Sequence, residues 1–122
     1  MSIQKWSDRM IFVELSAEPE ASDELENLFR CVRDRRDCAV VVDLSKVTVL
    51  TSTSLAMLLR LKKLLDGWEQ PLLLCSVGYT TQGIISAIGL DGLFEVVPNQ
   101  FDAFARVQAT PDVAMTGAPE AI

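Results

Sequence analysis

The sequence contains no histidine, which is the side chain that most often exchanges protons near neutral pH. The catalytic arrangements that depend on histidine, such as Ser–His–Asp, are therefore excluded. Glycine-rich phosphate loops are missing as well, because neither Gly-x-x-x-x-Gly-Lys-Ser/Thr nor Gly-x-Gly-x-x-Gly occurs. We therefore expect a protein that is not an enzyme and that needs no cofactor.

Cysteine is also scarce, and the three residues present are Cys31, Cys38 and Cys75. Their odd number does not fit a disulfide framework. A zinc site without histidine would need a carboxylate as a further ligand, which is uncommon in structural sites. We expect three reduced thiols, with Cys75 buried, and no metal.

Long apolar runs are absent. No stretch approaches the ~18 residues that a membrane-spanning helix needs. Charged residues interrupt the amino-terminal segment at Lys5, Asp8 and Arg9, before a signal-peptide core forms. The expectation is a cytoplasmic protein without membrane insertion, which agrees with free thiols.

Basic residues are outnumbered, with 11 Lys and Arg against 17 Asp and Glu and a net charge of −6. Nucleic acids and anionic membranes reward a basic surface, so neither is predicted as a partner. One arginine group stands out, consisting of Arg30, Arg33, Arg35 and Arg36. Because Asp34 and Asp37 lie among these residues, a solvated helix end is favoured over a partner-binding patch.

Apolar patterning predicts alternating strands and helices in a single domain over residues 1–108. Strands are predicted over 3–6, 9–15, 39–44, 71–77 and 93–97, with helices in the four longer intervals from residue 22 onward. This order predicts an α/β fold with a mixed, mostly parallel sheet of about five strands and four helices. The pattern does not fix whether helices cover one or both faces. Residues 109–122 are small and polar, so we expect a disordered tail.

Helix ends carry local signals. Ser22 is predicted to cap the first helix, whose apolar stripe is Leu25, Leu28, Phe29 and Val32. Asn99 is predicted to cap the last helix, with Asp102 three residues later and Phe101 and Phe104 facing inward.

The most informative segment is a run of four hydroxyl side chains, Thr51, Ser52, Thr53 and Ser54, here called the hydroxyl cluster. It follows a buried strand and opens an apolar helix with Leu55, Leu58, Leu65 and Trp68 on its inner side. One hydroxyl is explained by capping, but four are not. Ser52 or Thr53 is therefore the candidate for a modifiable site at a helix N-terminus.

Asp43 ends the preceding strand and is predicted to be the one carboxylate near the hydroxyl cluster. It could act as a general base, since sites lie at strand carboxyl ends in such sheets. The favoured interpretation is that it accepts hydrogen bonds from loop N–H groups.

Four motifs follow one another between Val40 and about Val107: Val-Val-Val-Asp-Leu-Ser ending at Ser45, the hydroxyl cluster, the run from Ile88 to Phe94, and the closing Phe-Asp-Ala-Phe-Ala helix. In these motifs, their order and their spacing, the segment resembles the STAS domain, the fold of bacterial anti-sigma-factor antagonists. In the family the loop usually reads Asp-Ser-Ser-Gly-Leu, and a partner kinase phosphorylates its first serine. Ser52 takes the place of that serine, whereas Thr51 and Ser54 replace the aspartate and the glycine.

The resemblance implies phosphorylation at Ser52, with Thr53 as the alternative. It implies a partner surface composed of Asp43, Ser45, Thr51, Ser52, Thr53, Ser54 and Met57. We expect the helix N-terminus to tolerate the phosphate locally, so that modification changes partner binding without unfolding the domain.

Two functions remain open. The first is a partner-switching regulator that binds an anti-sigma factor or serine-kinase-like protein. The second is a constitutive STAS subunit of a transport ATPase complex or sensory scaffold. A second copy of the chain is retained as another partner, and purine-nucleotide binding as a weaker possibility without a phosphate loop to support it.

Overall fold

A computed structural model describes residues 2–7, 9–35, 38–87, 89 and 92–109. Within these residues an initial pair of strands is followed by four helices that alternate with three further strands. The strands are β1 (Ser2–Ser7), β2 (Met10–Glu14), β3 (Ala39–Asp43), β4 (Leu72–Cys75) and β5 (Glu95–Val97). The helices are α1 (Glu20–Arg35), α2 (Ser52–Gly67), α3 (Tyr79–Ala87) and α4 (Gln100–Ala109).

The strands form one sheet in the order β1-β2-β3-β4-β5. Strand β1 pairs with β2 antiparallel, and β2, β3, β4 and β5 are parallel to their neighbours. The predicted α/β class, with a mixed and mostly parallel sheet of five strands and four helices, is confirmed.

Helices cover both faces of the sheet, which the sequence had left open. Alternate residues of each central strand point to opposite faces, as the period of a β-strand requires. Val40 and Val42 enter the larger core with residues of α1, α2 and α3, whereas Val41 enters a smaller core with Ala103 of α4.

The larger core contains the predicted helical stripes. Leu25, Leu28 and Val32 of α1 are buried, and Phe29 packs partly buried against them. Helix α2 buries Leu58, Leu61 and Leu65, while Leu55 and Trp68 pack at the edge of the core. Each fully buried leucine contributes about 1.5–3 kcal/mol of hydrophobic stabilisation, so this face carries most of the core.

Helix α4 approaches the sheet through a small residue. Ala103 is fully buried against Phe12, Val41 and Leu73. Phe101 and Phe104 are 77% and 41% exposed, so the prediction that both face inward is wrong. With 3.6 residues per turn, positions two before and one after Ala103 point away from the face that Ala103 presents to the sheet.

The last residues lie outside the described part of the chain. Helix α4 extends to Ala109, and the expected disordered tail falls almost entirely on residues that the structure does not describe. Among the described helices, none combines the length and the apolarity needed to cross a membrane.

Candidate functional site

The hydroxyl cluster lies at the carboxyl edge of the parallel strands. Glu14 of β2 is in register with Asp43 of β3, which is in register with Cys75 of β4. Because these strands end together, the loops that follow β2 and β3 meet at the same edge of the sheet. This places residues 15–19 beside the start of α2.

Thr51 is the N-cap of α2. Its backbone is extended, with φ −79° and ψ 162°, and its Oγ1 accepts a hydrogen bond from the backbone N–H of Ser54 at 3.1 Å. Ser52 and Thr53 form the first residues of the helix and are exposed. Ser54 is fully buried, so its side chain points into the protein and not toward solvent.

Glu18 supplies a carboxylate to the hydroxyl cluster from the loop before α1. Its Oε2 accepts hydrogen bonds from the Thr51 N–H at 3.3 Å and from the Thr51 hydroxyl at 3.0 Å. The Ser54 hydroxyl donates to the same oxygen. The prediction that Asp43 is the one carboxylate near the hydroxyl cluster is therefore wrong.

Ser22 completes this arrangement from the first turn of α1. Its hydroxyl donates to Glu18 Oε1 at 3.2 Å and lies 2.9 Å from the Ser54 hydroxyl. We call Glu18, Ser22, Thr51 and Ser54 the Glu18 network. The prediction that Ser22 caps α1 is wrong, because the helix begins at Glu20 and the Ser22 hydroxyl donates to Glu18 beside the Ser54 hydroxyl of α2.

The charge of Glu18 is stabilised by its neighbours. Partial burial alone raises the pKa of Glu18, but hydrogen bonds from Ser54, Thr51 and Ser22 favour the charged form and bring the pKa below its ordinary 4.5. The carboxylate is therefore ionised at neutral pH, and it accepts hydrogen bonds at the positive end of the α2 dipole.

The loop that carries Glu18 is fixed on its other side by Glu24. One carboxylate oxygen of Glu24 accepts from the Ser16 N–H at 2.8 Å, and the other accepts from the Ser16 hydroxyl at 2.8 Å. Two glutamates thus hold the short segment between β2 and α1 at both ends.

Asp43 has a structural role at the end of β3. It is buried, and its Oδ1 accepts a hydrogen bond from the Ser45 N–H at 2.7 Å, which confirms the favoured interpretation of this residue. Burial, together with the nearby Asp43 charge, raises the pKa of Cys75 to about 12. Cys75 is buried as expected, and its thiol is protonated and unreactive at neutral pH.

The remaining residues of the predicted partner surface lie on the same edge or on α2. Ser45 is exposed in the loop after β3, and Met57 is partly buried one turn beyond Thr53. The buried Thr81 of α3 donates to the Val47 carbonyl at 3.4 Å and links α3 to this loop. Apolar side chains are also exposed here, with Val49 at 58% and Tyr79 at 96%.

With no histidine in the sequence, a metal site would depend on cysteine and carboxylate side chains. Cys31 is exposed, Cys38 and Cys75 are buried, and none of the three forms a disulfide. In the ranges that the structure describes, no group of three or more histidine, cysteine, aspartate or glutamate side chains is arranged to hold a metal ion.

Sequence reasoning identified the hydroxyl cluster but missed Glu18. The hydrogen bond from Thr51 to Glu18 joins residues 33 positions apart, so no local motif contains it. A signal was nevertheless present, because β2 and β3 were both predicted in a mostly parallel sheet. Loops that follow neighbouring parallel strands lie at the same edge, which makes an acidic residue just after β2 a candidate neighbour of a polar cluster after β3.

These features define a small α/β domain whose sheet is parallel except for one edge hairpin, with an exposed serine and threonine at the start of its second helix. A family model described as the STAS domain matches residues 16–103, which is more than half of the chain. The chain therefore belongs to the STAS domain family. No curated protein sequence matches it significantly.

Solved structures of the same fold include the anti-sigma factor antagonist SpoIIAA and the protein RsbS. The unphosphorylated anti-sigma factor antagonist SpoIIAA has a TM-score of 0.71 at 11% identity, over 89% of this chain and 98% of that one. The phosphorylated form of SpoIIAA from Bacillus gives 0.68 at 10% identity, over 87% and 97%. A variant of RsbS from Moorella thermoacetica gives 0.71 at 17% identity, over 88% and 96%.

A transporter-related protein shares the fold as well. A sulfate transporter family protein from Wolinella succinogenes gives a TM-score of 0.63 at 17% identity, over 79% of this chain and 84% of that one. At such low identities these likenesses establish the fold alone.

Proposed function

We propose that this STAS protein is a partner-switching regulator that resembles anti-sigma-factor antagonists and is controlled by phosphorylation at Ser52, with Thr53 as the alternative. The observation that carries the proposal is the division of the hydroxyl cluster. Thr51 and Ser54 donate their hydroxyl hydrogen bonds to Glu18, whereas Ser52 and Thr53 are exposed at the first turn of α2. Only the latter two side chains face a partner.

The partner in this proposal is a serine-kinase-like anti-sigma factor that supplies a nucleoside triphosphate. The Ser52 oxygen attacks the γ-phosphorus, the bond from that phosphorus to the bridging oxygen breaks, and a nucleoside diphosphate leaves. The hydroxyl proton passes to a base of the kinase. Ser52 then carries about −1.5 to −2 charges at neutral pH.

Added charge favours release of the partner. The exposed apolar residue Val49, four positions before Thr53 in the chain, offers a surface that a partner covers when it docks. A phosphate enclosed against this apolar surface loses its hydration, which is costly. The surface formed by Ser45, Thr53 and Met57, together with Ser52, is the docking surface in this proposal.

A constitutive subunit of a transport complex is the second candidate. It is supported by the exposed side chains of Val49 and Tyr79, because a permanent interface covers apolar surface. The fold of the sulfate transporter family protein is compatible with this function. It requires no modification of Ser52.

Affinity capture of the tagged protein from its own cells separates the two candidates. The variants are Ser52→Ala, Ser52→Asp and Thr53→Asp, with captured proteins identified by mass spectrometry and phosphorylation mapped on the wild type. Ser86→Asp is the matched control, because Ser86 is an exposed serine on α3.

The regulator hypothesis predicts a kinase-like protein bound by wild type, Ser52→Ala and Ser86→Asp, and lost with Ser52→Asp. Loss with Thr53→Asp alone would assign the control to Thr53. An ATPase or permease retained equally by every variant would overturn partner switching and support the constitutive subunit.

A further inference from the structure

The N-terminus of α2 already holds a negative charge. Helix N-termini attract anions because their first N–H groups are unpaired and the dipole is positive there. In this protein Glu18 Oε2 occupies that position, through the Thr51 N–H at 3.3 Å and two hydroxyl donors. None of the residues in the first turn of α2 is acidic, so the charge comes from Glu18.

Residue 52 lies close to this carboxylate. Thr51 bonds Glu18 directly, and one residue spans at most about 3.6 Å, so the Ser52 nitrogen lies within roughly 7 Å of Glu18 Oε2. A phosphoryl group on the Ser52 side chain extends a few ångströms from that nitrogen, so its separation from the carboxylate is comparable to the Debye length of about 8 Å at physiological ionic strength, and salt screens the repulsion only in part. From the helix dipole, the sequence predicts that the start of α2 tolerates a phosphate on Ser52. The negative charge of Glu18 opposes this effect.

We propose that Glu18 is the residue through which negative charge at position 52 acts on the fold: a phosphoryl group on Ser52 competes with the Glu18 carboxylate and displaces it from Thr51 and Ser54. This inference depends on the proposed function for the event that adds the charge. The electrostatic coupling itself requires no partner, and it is measured on the isolated chain.

The displacement has a consequence for helix packing. Glu18 and Ser22 connect the start of α1 to Ser54 of α2, with the Ser22 and Ser54 hydroxyls 2.9 Å apart. Loss of the Glu18 bonds loosens the segment around Glu18 against the start of α2, while Glu24 still holds Ser16. A partner at Ser52 would then meet both a new charge and a loosened loop.

A double-mutant cycle on thermal unfolding tests the coupling. Ser52→Asp is compared with the neutral Ser52→Asn, first with Glu18 present and then combined with Glu18→Gln. With Glu18 present, we expect Ser52→Asp to unfold about 2–4 °C below Ser52→Asn. With Glu18→Gln the order reverses, because the helix N-terminus then holds no other negative charge and its dipole favours the aspartate.

Glu20→Gln is the matched control, since Glu20 is exposed at the start of α1 and loses the same charge. In the Glu20→Gln background, Ser52→Asp is expected to unfold below Ser52→Asn by the same margin as when Glu20 is present. An Asp–Asn difference that is equal with and without Glu18 would overturn the proposal.

A second measurement leaves Glu18 in place. Amide chemical shifts of Thr51 and Ser54 are compared between Ser52→Asp and Ser52→Asn by NMR. We expect the Thr51 amide proton to move upfield in Ser52→Asp as its bond to Glu18 weakens, and unchanged shifts would contradict the displacement. If coupling is observed while Ser52→Asp retains every captured partner, the proposed function fails and the inference about Glu18 stands.

Discussion

Helices α2 and α4 begin with the same local motif but differ in what surrounds it. Thr51 accepts a hydrogen bond from the Ser54 N–H at 3.1 Å, and Asn99 accepts one from the Asp102 N–H at 2.9 Å. The Asn99 bond is exposed and local, whereas Thr51 also bonds Glu18 from another part of the chain. The Asn99 cap starts α4, whereas the Thr51 cap starts α2 and, through Glu18, also connects α2 to the segment before α1.

Under the proposed function, this difference makes the start of α2 better suited than the start of α4 to carry a partner-binding surface. At α4 the cap fixes only the backbone of one helix turn. At α2, two of the four hydroxyls donate to Glu18 in the Glu18 network, whereas Ser52 and Thr53 are exposed on the first turn of the helix. Substitutions at the two helix starts should therefore have unequal consequences.

The largest effect is expected from Glu18→Ala, which removes the acceptor of the Thr51 and Ser54 hydroxyls and leaves the buried Ser54 without it. Hydrogen bonds to a charged group contribute about 1.5–3 kcal/mol, so we expect the free energy of unfolding to fall by about 2–3 kcal/mol. Urea denaturation followed by circular dichroism measures this change. Glu20→Ala is the control and should stay within about 0.5 kcal/mol of wild type. Equal losses for the two variants would show that Glu18 has no special role.

Ser54→Ala should have the next largest effect. It removes one donor to Glu18 and the neighbour of the Ser22 hydroxyl, and we expect a loss of about 1–2 kcal/mol in the free energy of unfolding. Ser52→Ala, which alters an exposed hydroxyl in the same turn, is the matched control and should change stability little. A Ser52→Ala loss as large as that of Ser54→Ala would contradict the assigned division of the hydroxyl cluster.

At the other helix start, Asn99→Ala should lower the free energy of unfolding by about 1 kcal/mol, the usual contribution of an N-cap. Combined with Glu18→Ala, its effect should be additive within about 0.5 kcal/mol, because the two caps share no hydrogen-bond partner in the described bonds. Denaturation of the two single variants and the double variant tests this. Marked non-additivity would mean that the two helix starts are coupled.

Acid should reduce the difference between wild type and Glu18→Gln. The folded-state pKa of Glu18 is below 4.5, because its hydrogen bonds outweigh the raising effect of burial. Its stabilising contribution is therefore complete above the unfolded-state pKa and is lost as pH falls from about 4.5 through the folded-state pKa. Denaturation of both proteins between pH 7 and pH 3 measures this. A difference that grows as pH falls would have the opposite sign and refute the assignment.

The local parts of the fold were predictable from sequence. The order of strands and helices, the inner stripe of α2 and the Asn99 cap are each encoded within a few neighbouring residues, and the structure agrees with them. Gly89, two residues beyond the end of α3, has φ +79°, a left-handed conformation that glycine adopts at helix ends.

The predictions that failed concern side chains whose orientation depends on packing between parts of the chain that are distant in sequence. Phe101 and Phe104 were predicted inward because they are large and apolar, but close approach of α4 to the sheet selected the small Ala103. Ser22 has the properties of a helix cap, yet contact with α2 gave its hydroxyl a different partner.

One part of the candidate site, the hydroxyl cluster, was predictable from local sequence. The hydroxyl cluster is contiguous in sequence, so its position before an apolar helix was visible. The Glu18 carboxylate, which accepts hydrogen bonds from this cluster, belongs to the loop after β2. Glu18 and the hydroxyl cluster become neighbours only when β2 pairs in parallel with β3.

The most direct test of this account is an NMR titration of the Glu18 side-chain carboxyl in the wild-type protein, with Thr51→Val in parallel. The account predicts a pKa below 4.5 in wild type, because the hydroxyls and the Thr51 N–H stabilise the charged form. It also predicts a higher pKa in Thr51→Val, which lacks one of these donors. A wild-type pKa at or above 4.5 that Thr51→Val leaves unchanged would contradict it.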